Sequence, residues 1–436
     1  MGTLVGLGGG IYCGQGSRPL ISRCTITGNS GRLGAGGVHC DGPSCIIEHC
    51  LVANNVSGWS IGGIECGGNS VVTDCTITNN YGGGIGCGGN AMVSHCIVQG
   101  NSYSGGISAW GNAVVSYCTI TGNSAQPDWI VRGPRGGGIY CRDNVLIRNC
   151  LVDGNHSQHY SGGQFGGPIE GDGGGIFCWG GSPTIISCTI TRNSADDYGG
   201  GIYCASGSPE ITNCILWQNK ATDEQQIEGN FSVSYSNVEG SFPGGGNIDA
   251  DPLFADPNNG DYHLKSQAGR WDANSQSWVK NDVTSPCIDA GDPMSPIGHE
   301  PFPNGGRINM GAYGGTAEAS KSYFGEPVCE VIVAGDINGD CIIDFKDLTL
   351  MALHWLEYTE PNRGGWRLVE DDTEDSYSCE GNFDIFYPCS NAVDEDWDTY
   401  ALPTDPGATS YIYENYVIPF GIAMADFRIK VTVHGF

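Results

Sequence analysis

The sequence predicts an all-β protein whose larger part is a solenoid of stacked parallel strands. Three observations predict it. A Gly-Gly-Ile-x-Cys motif recurs at residues 9–13, 36–40, 62–66, 83–87, 105–109, 137–141, 174–178 and 200–204, with Val for Ile in the second and Ala for Cys in the fifth. A Cys-x-Ile-x-x-Asn motif alternates with it, from Cys24, Cys50, Cys75, Cys96, Cys118, Cys150, Cys188 and Cys214. Five residues after each of those cysteines stands an asparagine: Asn29, Asn55, Asn80, Asn101, Asn123, Asn155, Asn193 and Asn219. Third, apolar residues alternate inside the motifs, as in Ile11/Cys13 and Cys24/Ile26. That is the period of a strand with one buried face.

Each repeat is too short to enclose its own core, so neighbours must stack to bury a continuous one. The glycine pairs, part of a total of 71 Gly in 436 residues, suit corners where a Cβ would clash or φ must be positive. Stacked asparagines can hydrogen-bond along the axis as a ladder. Sixteen of the 21 cysteines lie before residue 215, and all but Cys45 belong to the two motifs. Their period is a whole coil, which suits small inward hydrophobes better than a zinc cluster. The spacing of adjacent coils also lies within disulfide range, so oxidation stays open.

On these motifs residues 1–240 resemble the right-handed parallel β-helix family, whose relatives include pectate lyases and many surface proteins. The resemblance implies eight coils, a rod of roughly 40 Å at ~4.8 Å per coil, and a ninth coil at 231–238. Coil motifs begin by Gly8, which predicts an uncapped start, and no signal peptide is visible.

The repeat stops near residue 240. The stretches 247–254, 260–264, 285–292 and 309–313 resemble the C-terminal part of bacterial choice-of-anchor β-helix proteins, although Gly314-Gly315 replaces their usual acidic ending. Residues 241–325 are therefore expected to close one end of the solenoid, since open edges invite pairing.

Residues 326–408 read as an acidic module. In the loop 336–347, Asp336, Asn338, Asp340, Asp344 and Asp347 occupy positions 1, 3, 5, 9 and 12, and Ile342 offers its carbonyl from position 7. That spacing of oxygens suits calcium. A helix is expected after it, with Phe345, Leu348, Ala352 and Trp355 on one face. The segment resembles a type I dockerin repeat, with Cys341 in place of the usual Gly and Asp347 in place of Glu. A second loop at 384–398 is degenerate. Residues 370–375 read as an exposed acidic loop, and the pairing of Cys329, Cys379 and Cys389 is left open. The tail, 409–436, reads as two strands at 411–418 and 427–433.

A net charge of −29 argues against nucleic acid, and no apolar stretch is long enough to span a membrane. Two insertions, 124–137 and 154–173, offer the best cleft. They carry Asp128, Trp129, Arg132, Arg135, His156, His159, Tyr160, Glu170 and Asp172, joined by Asp196 and Asp197 from the next coil. No catalytic residue is assigned. The same corner presents Trp59, Tyr81, Tyr103, Trp129, Tyr160 and Tyr198, a row suited to stacking on sugar rings or to packing.

The leading expectation is a secreted structural or cell-surface protein, calcium-stabilised and non-catalytic. It would assemble head to tail, the tail of one subunit on the solenoid of the next. Behind it stand a carbohydrate-binding adhesin, and then a polysaccharide lyase or glycoside hydrolase. The implied partners are a second copy and an extracellular polysaccharide.

Overall fold

The computed structural model describes residues 8–126, 136–159, 171–223, 226–323 and four strands between 367 and 432. The chain divides into two units, Met1–Val328 and Cys329–Phe436.

The first unit is a parallel β-helix of nine coils. Three nine-stranded sheets run its length, here called A, B and C, each taking one strand from every coil. Sheet A starts with Ile11–Cys13, sheet B with Leu20–Ser22 and sheet C with Thr25–Thr27. Pairing is parallel and in register from coil to coil, as in Val71↔Met92 and Thr76↔Ile97. The central residue of each B and C strand points inward. Ile47, Val72, Val93, Val115 and Ile147 thus stack beneath sheet B, and Val52, Ile77, Val98 and Ile120 beneath sheet C. The motif cysteines fill the gaps between these columns as free, mostly buried thiols.

Corners follow two rules. Between sheets B and C each coil places one left-handed residue, variously Arg23, His49, Asp74, His95, Tyr117, Asn149, Ser187, Asn213 and Tyr235. After sheet C comes the asparagine. Asn101, for example, donates both its backbone N–H and its side-chain amide to Oδ1 of Asn123, at 2.9 Å each, and gives its other amide hydrogen to the Ile77 carbonyl one coil back. The same pattern carries from Asn29 to Asn219, where Gln226 Oε1 accepts the last amide at 2.7 Å. Beyond the ladder lies a short fourth strip, sheet D, which includes Ser102–Tyr103, Ser124–Ala125, His156–Ser157 and Ser194–Ala195.

The second glycine of each pair is required by close approach. A Cβ on Gly106 would lie 2.7 Å from the Gly138 carbonyl oxygen and 2.9 Å from the Asn123 amide. No side chain fits between ladder and next coil.

The segment after the last coil makes two sets of contacts with the helix. It first seals the last coil: Ile248 bridges Asn237, and Phe242 packs against the core. It then turns back along the outer flank of sheet C. There Phe254, Tyr262, Leu264, Cys287, Ile288 and Met310 bury Leu151 of coil 6 and Ile215 of coil 8. Asn149 Nδ2 donates to the carbonyls of Ala312 and Gly314, and Thr189 Oγ1 accepts from the Ala312 N–H. A pure end cap would have left Leu151 and Ile215 in water; covering them is the physical reason for the flank contact.

In the second unit, Arg367–Glu370 pairs antiparallel with Tyr377–Glu380, and Thr409–Glu414 with Phe427–Thr432. Glu370 of the acidic stretch 370–375 thus ends a strand, the rest of that stretch lies outside the described residues, and the tail strands pair with each other. The calcium loop 336–347, its expected helix and the second loop 384–398 lie outside the described residues.

Candidate functional site

The inward columns beneath sheets B and C are apolar among the described residues, so a ligand too large for the interior has to sit on the outer faces. One column stands out. The variable residue of each Gly-Gly-Ile-x-Cys motif points outward from sheet A. In register these residues are Tyr12, His39, Glu65, Gly86, Ser108, Tyr140, Phe177 and Tyr203. The column is polar at one end, small in the middle and aromatic at the other.

At the polar end the Tyr12 hydroxyl donates to Asp41 at 2.8 Å. His39 lies between Asp41 (2.9 Å) and Glu65 (3.0 Å), and Ser60 donates to Glu65 at 2.5 Å. The Tyr12 ring stacks on His39 with centroids 5.8 Å apart. The Glu65 hydrogen bond holds the His39 imidazole above its ordinary pKa, and the Tyr12 hydroxyl holds Asp41 below its own. Burial works to raise Glu65, but the bonds from His39 and Ser60 outweigh it and leave the carboxyl low. Both imidazole nitrogens are engaged, so this is a charged clamp between three coils. A general base would need a free nitrogen.

At the other end the rings form a series. Tyr140 and Phe177 are 5.7 Å apart, Phe177 and Tyr203 5.4 Å, and Phe177 and Trp179 6.2 Å. Tyr198, from the corner after sheet D, reaches Tyr203 at 6.3 Å. Phe177 is wholly buried in the middle of this set, while Trp179 and Tyr198 remain 48% and 37% exposed. Arg142 stands beside Trp179 on the neighbouring strand.

The corner adjoining Tyr198 gathers the titratable groups. His159 Nδ1 meets Asp197 Oδ2 at 2.8 Å, and its backbone N–H donates to Asp196 at 2.9 Å. The Gly171 N–H also donates to Asp197, at 2.7 Å. His156 contacts Ser194 Oγ at 2.9 Å and approaches Asp196 at 3.7 Å. Buried Asp172 accepts from the Tyr198 N–H at 3.3 Å. Among the described residues Nε2 of His159 meets no hydrogen-bond partner. An Nδ1–H donated to Asp197 leaves that nitrogen as an acceptor, the orientation a ligand-binding imidazole needs.

Of the cleft residues named from the sequence, His156, His159, Asp172, Asp196 and Asp197 therefore come together. Asp128, Trp129, Arg132, Arg135, Tyr160 and Glu170 lie outside the described residues. The aromatic row resolves into parts. Tyr81 and Tyr103 contact each other at 5.1 Å, Trp59 stands half exposed on the preceding coil, and Tyr198 joins the sheet A series. Sequence reasoning missed Tyr140, Phe177, Trp179 and Tyr203. Three of them are the variable residue of a repeat that was read for its constant positions.

Comparison with known proteins matches residues 4–125 to the right-handed β-helix region and residues 121–291 to the disaggregatase-related family. The second match takes in the aromatic series, the His/Asp corner and most of the segment on the sheet C flank. The crystal structure of pectate lyase Pel9A is similar at 17% identity and a TM-score of 0.39, over 66% of this chain and 68% of that one. No curated protein sequence matches the chain. The fold is a right-handed parallel β-helix, and no helix among the described residues is long and apolar enough to cross a membrane.

Proposed function

We propose that this is an extracellular or cell-surface polysaccharide-binding protein, which holds its glycan on the outer face of sheet A at coils 6–8. The aromatic series running into the His/Asp corner carries the reading. Trp179 and Tyr198, the exposed members, offer ring faces to the apolar faces of sugars, with Tyr140, Phe177 and Tyr203 stacked behind them, while His159, Asp196 and Asp197 offer hydrogen bonds to hydroxyls at the rim. The disaggregatase-related match, over the same residues, fits a surface or polysaccharide-related role.

The test is retention of the purified protein on a panel of acidic and neutral polysaccharides, with Tyr203→Ala beside it. Binding that the substitution weakens supports the reading. Release of new reducing ends or unsaturated products would move the protein to the lyases or hydrolases, the runner-up on this site. Absence of binding across the panel would refute it.

Head-to-tail assembly is a second reading, favoured by one observation. Among the described residues Ile11–Cys13, Leu20–Ser22 and Thr25–Thr27 are the edge strands of three sheets at one end of the solenoid, and unpaired edges template further strands. The tail hairpin would supply them from a second copy. A chain ending at residue 408 that polymerises like the full chain removes this reading. Calcium in the loop of Asp336, Asn338, Asp340, Ile342, Asp344 and Asp347 belongs to the same proposal, as a stabiliser of the second unit.

A further inference from the structure

The thiols at the first two coils are arranged unlike the rest of the ladder. Cys13 and Cys40 are in-register partners on sheet A. Cys45 enters from the next corner, just before the sheet B strand Ile46–Glu48. On the following coils the position of Cys45 is held by Ser70, Ala91, Ala113 and Val145. Only here does a third sulfur join two ladder sulfurs. The Sγ atoms of Cys13, Cys40 and Cys45 all lie within 4.8 Å of one another, and all three residues are buried. They are the only such ligand group among the described residues.

We propose that Cys13, Cys40 and Cys45 bind one thiophilic divalent d¹⁰ metal ion, with zinc as the physiological case. Three thiolates around an ion at a metal–sulfur distance of ~2.3 Å stand about 4 Å apart. The present spacing therefore needs only side-chain adjustment. The surrounding core is Ile, Val and Cys, no His, Asp or Glu joins the group among the described residues, and soft thiolates select zinc and its congeners. A divalent ion also limits the buried charge. Three thiols lose three protons to solvent, three sulfur–metal bonds form, and the site carries one net negative charge. No electron is transferred. Among the three, Cys13 keeps the most exposure, 8%, so the ion enters past it.

The experiment uses the full chain, purified with a phosphine reductant and free of metal. Cadmium is titrated in while the ultraviolet thiolate-to-metal charge-transfer band is followed. Zinc is then titrated against a chromophoric chelator, and proton release is measured in weak buffer. The expected result is one ion per site and about three protons released per ion. Cys45→Ala installs the residue that coils 4 and 5 carry at this position, so the fold should persist, with an unchanged circular dichroism spectrum. Loss of a direct ligand should weaken zinc by more than the ~10–100-fold typical of lost outer-shell partners. Cys96→Ala, a ladder thiol in a later coil, should bind like the parent. Equal affinity for the parent and Cys45→Ala would overturn the proposal. So would absence of the band, or a Cys13–Cys40 disulfide that persists under reductant.

Discussion

Removing one asparagine from the middle of the ladder tests what holds the coils in register. Asn123 is 1% exposed. Its Oδ1 accepts from the backbone N–H and the side-chain amide of Asn101, and its own amide donates to the Val98 carbonyl and to Asn155 Oδ1. Asn123→Ala leaves two buried donors on Asn101 without an acceptor. At ~1–3 kcal/mol for each unsatisfied buried group, the loss is about 2–6 kcal/mol. Asn29 supplies the contrast. It is only part-buried and donates its backbone N–H and one amide hydrogen to Asn55, so Asn29→Ala should cost ~1 kcal/mol. Urea unfolding followed by far-ultraviolet circular dichroism would read both, with unchanged slope as the check on comparable unfolding. Equal losses for the two variants, or less than ~1 kcal/mol for Asn123→Ala, would refute the ladder as a source of stability.

Other predictions concern the closing segment, the acidic module and the corners. Burial pushes Glu300 up to about 7 and Asp289 up to about 6. The folded state therefore holds protons that the unfolded state releases at lower pH, and stability should fall as pH rises from ~4.5 to ~7. For Glu300 the change amounts to at most ~3 kcal/mol. Melting temperatures across that range should show the slope, and Glu300→Gln, which keeps the acceptor for Asn309 and Gly315, should flatten it. Calorimetric titration with calcium should show one site, abolished by Asp336→Ala; heat unchanged by that substitution would place the ion elsewhere. Gly106→Ala should misfold or lose several kcal/mol, because its Cβ meets a backbone carbonyl that cannot move alone. A melting temperature equal to the parent's would contradict the close-approach account.

Much of the fold was legible because a stacked coil repeats its constraints. An inward Ile, a ladder Asn and a close-approach Gly recur wherever the geometry recurs, and a single sequence displays them eight times. The corner between sheets B and C left no such trace. Arg23, His49, Asp74 and Tyr117 share a left-handed backbone but no side-chain chemistry, so nothing in residue type announces it. The flank contact of the closing segment was hidden for a related reason. Leu151 and Ile215 occupy an outward column that also holds exposed Leu51 and Ile97, and only tertiary packing distinguishes the covered members. The site was half visible. Its His/Asp corner announced itself through long insertions, whereas Tyr140, Phe177 and Tyr203 sat inside the repeat. Reading the variable position down the column, from Tyr12 to Tyr203, would have found them.

The central claim is that the aromatic end of sheet A is a glycan surface. A carbohydrate microarray comparing the parent chain with Tyr198→Ala/Tyr203→Ala tests it most directly, with Tyr81→Ala/Tyr103→Ala as the control on the ring pair elsewhere on the helix. The account predicts binding to a defined polysaccharide class by the parent and the control, and its loss in the first double variant. Retained binding in Tyr198→Ala/Tyr203→Ala, with loss in the control, would contradict it.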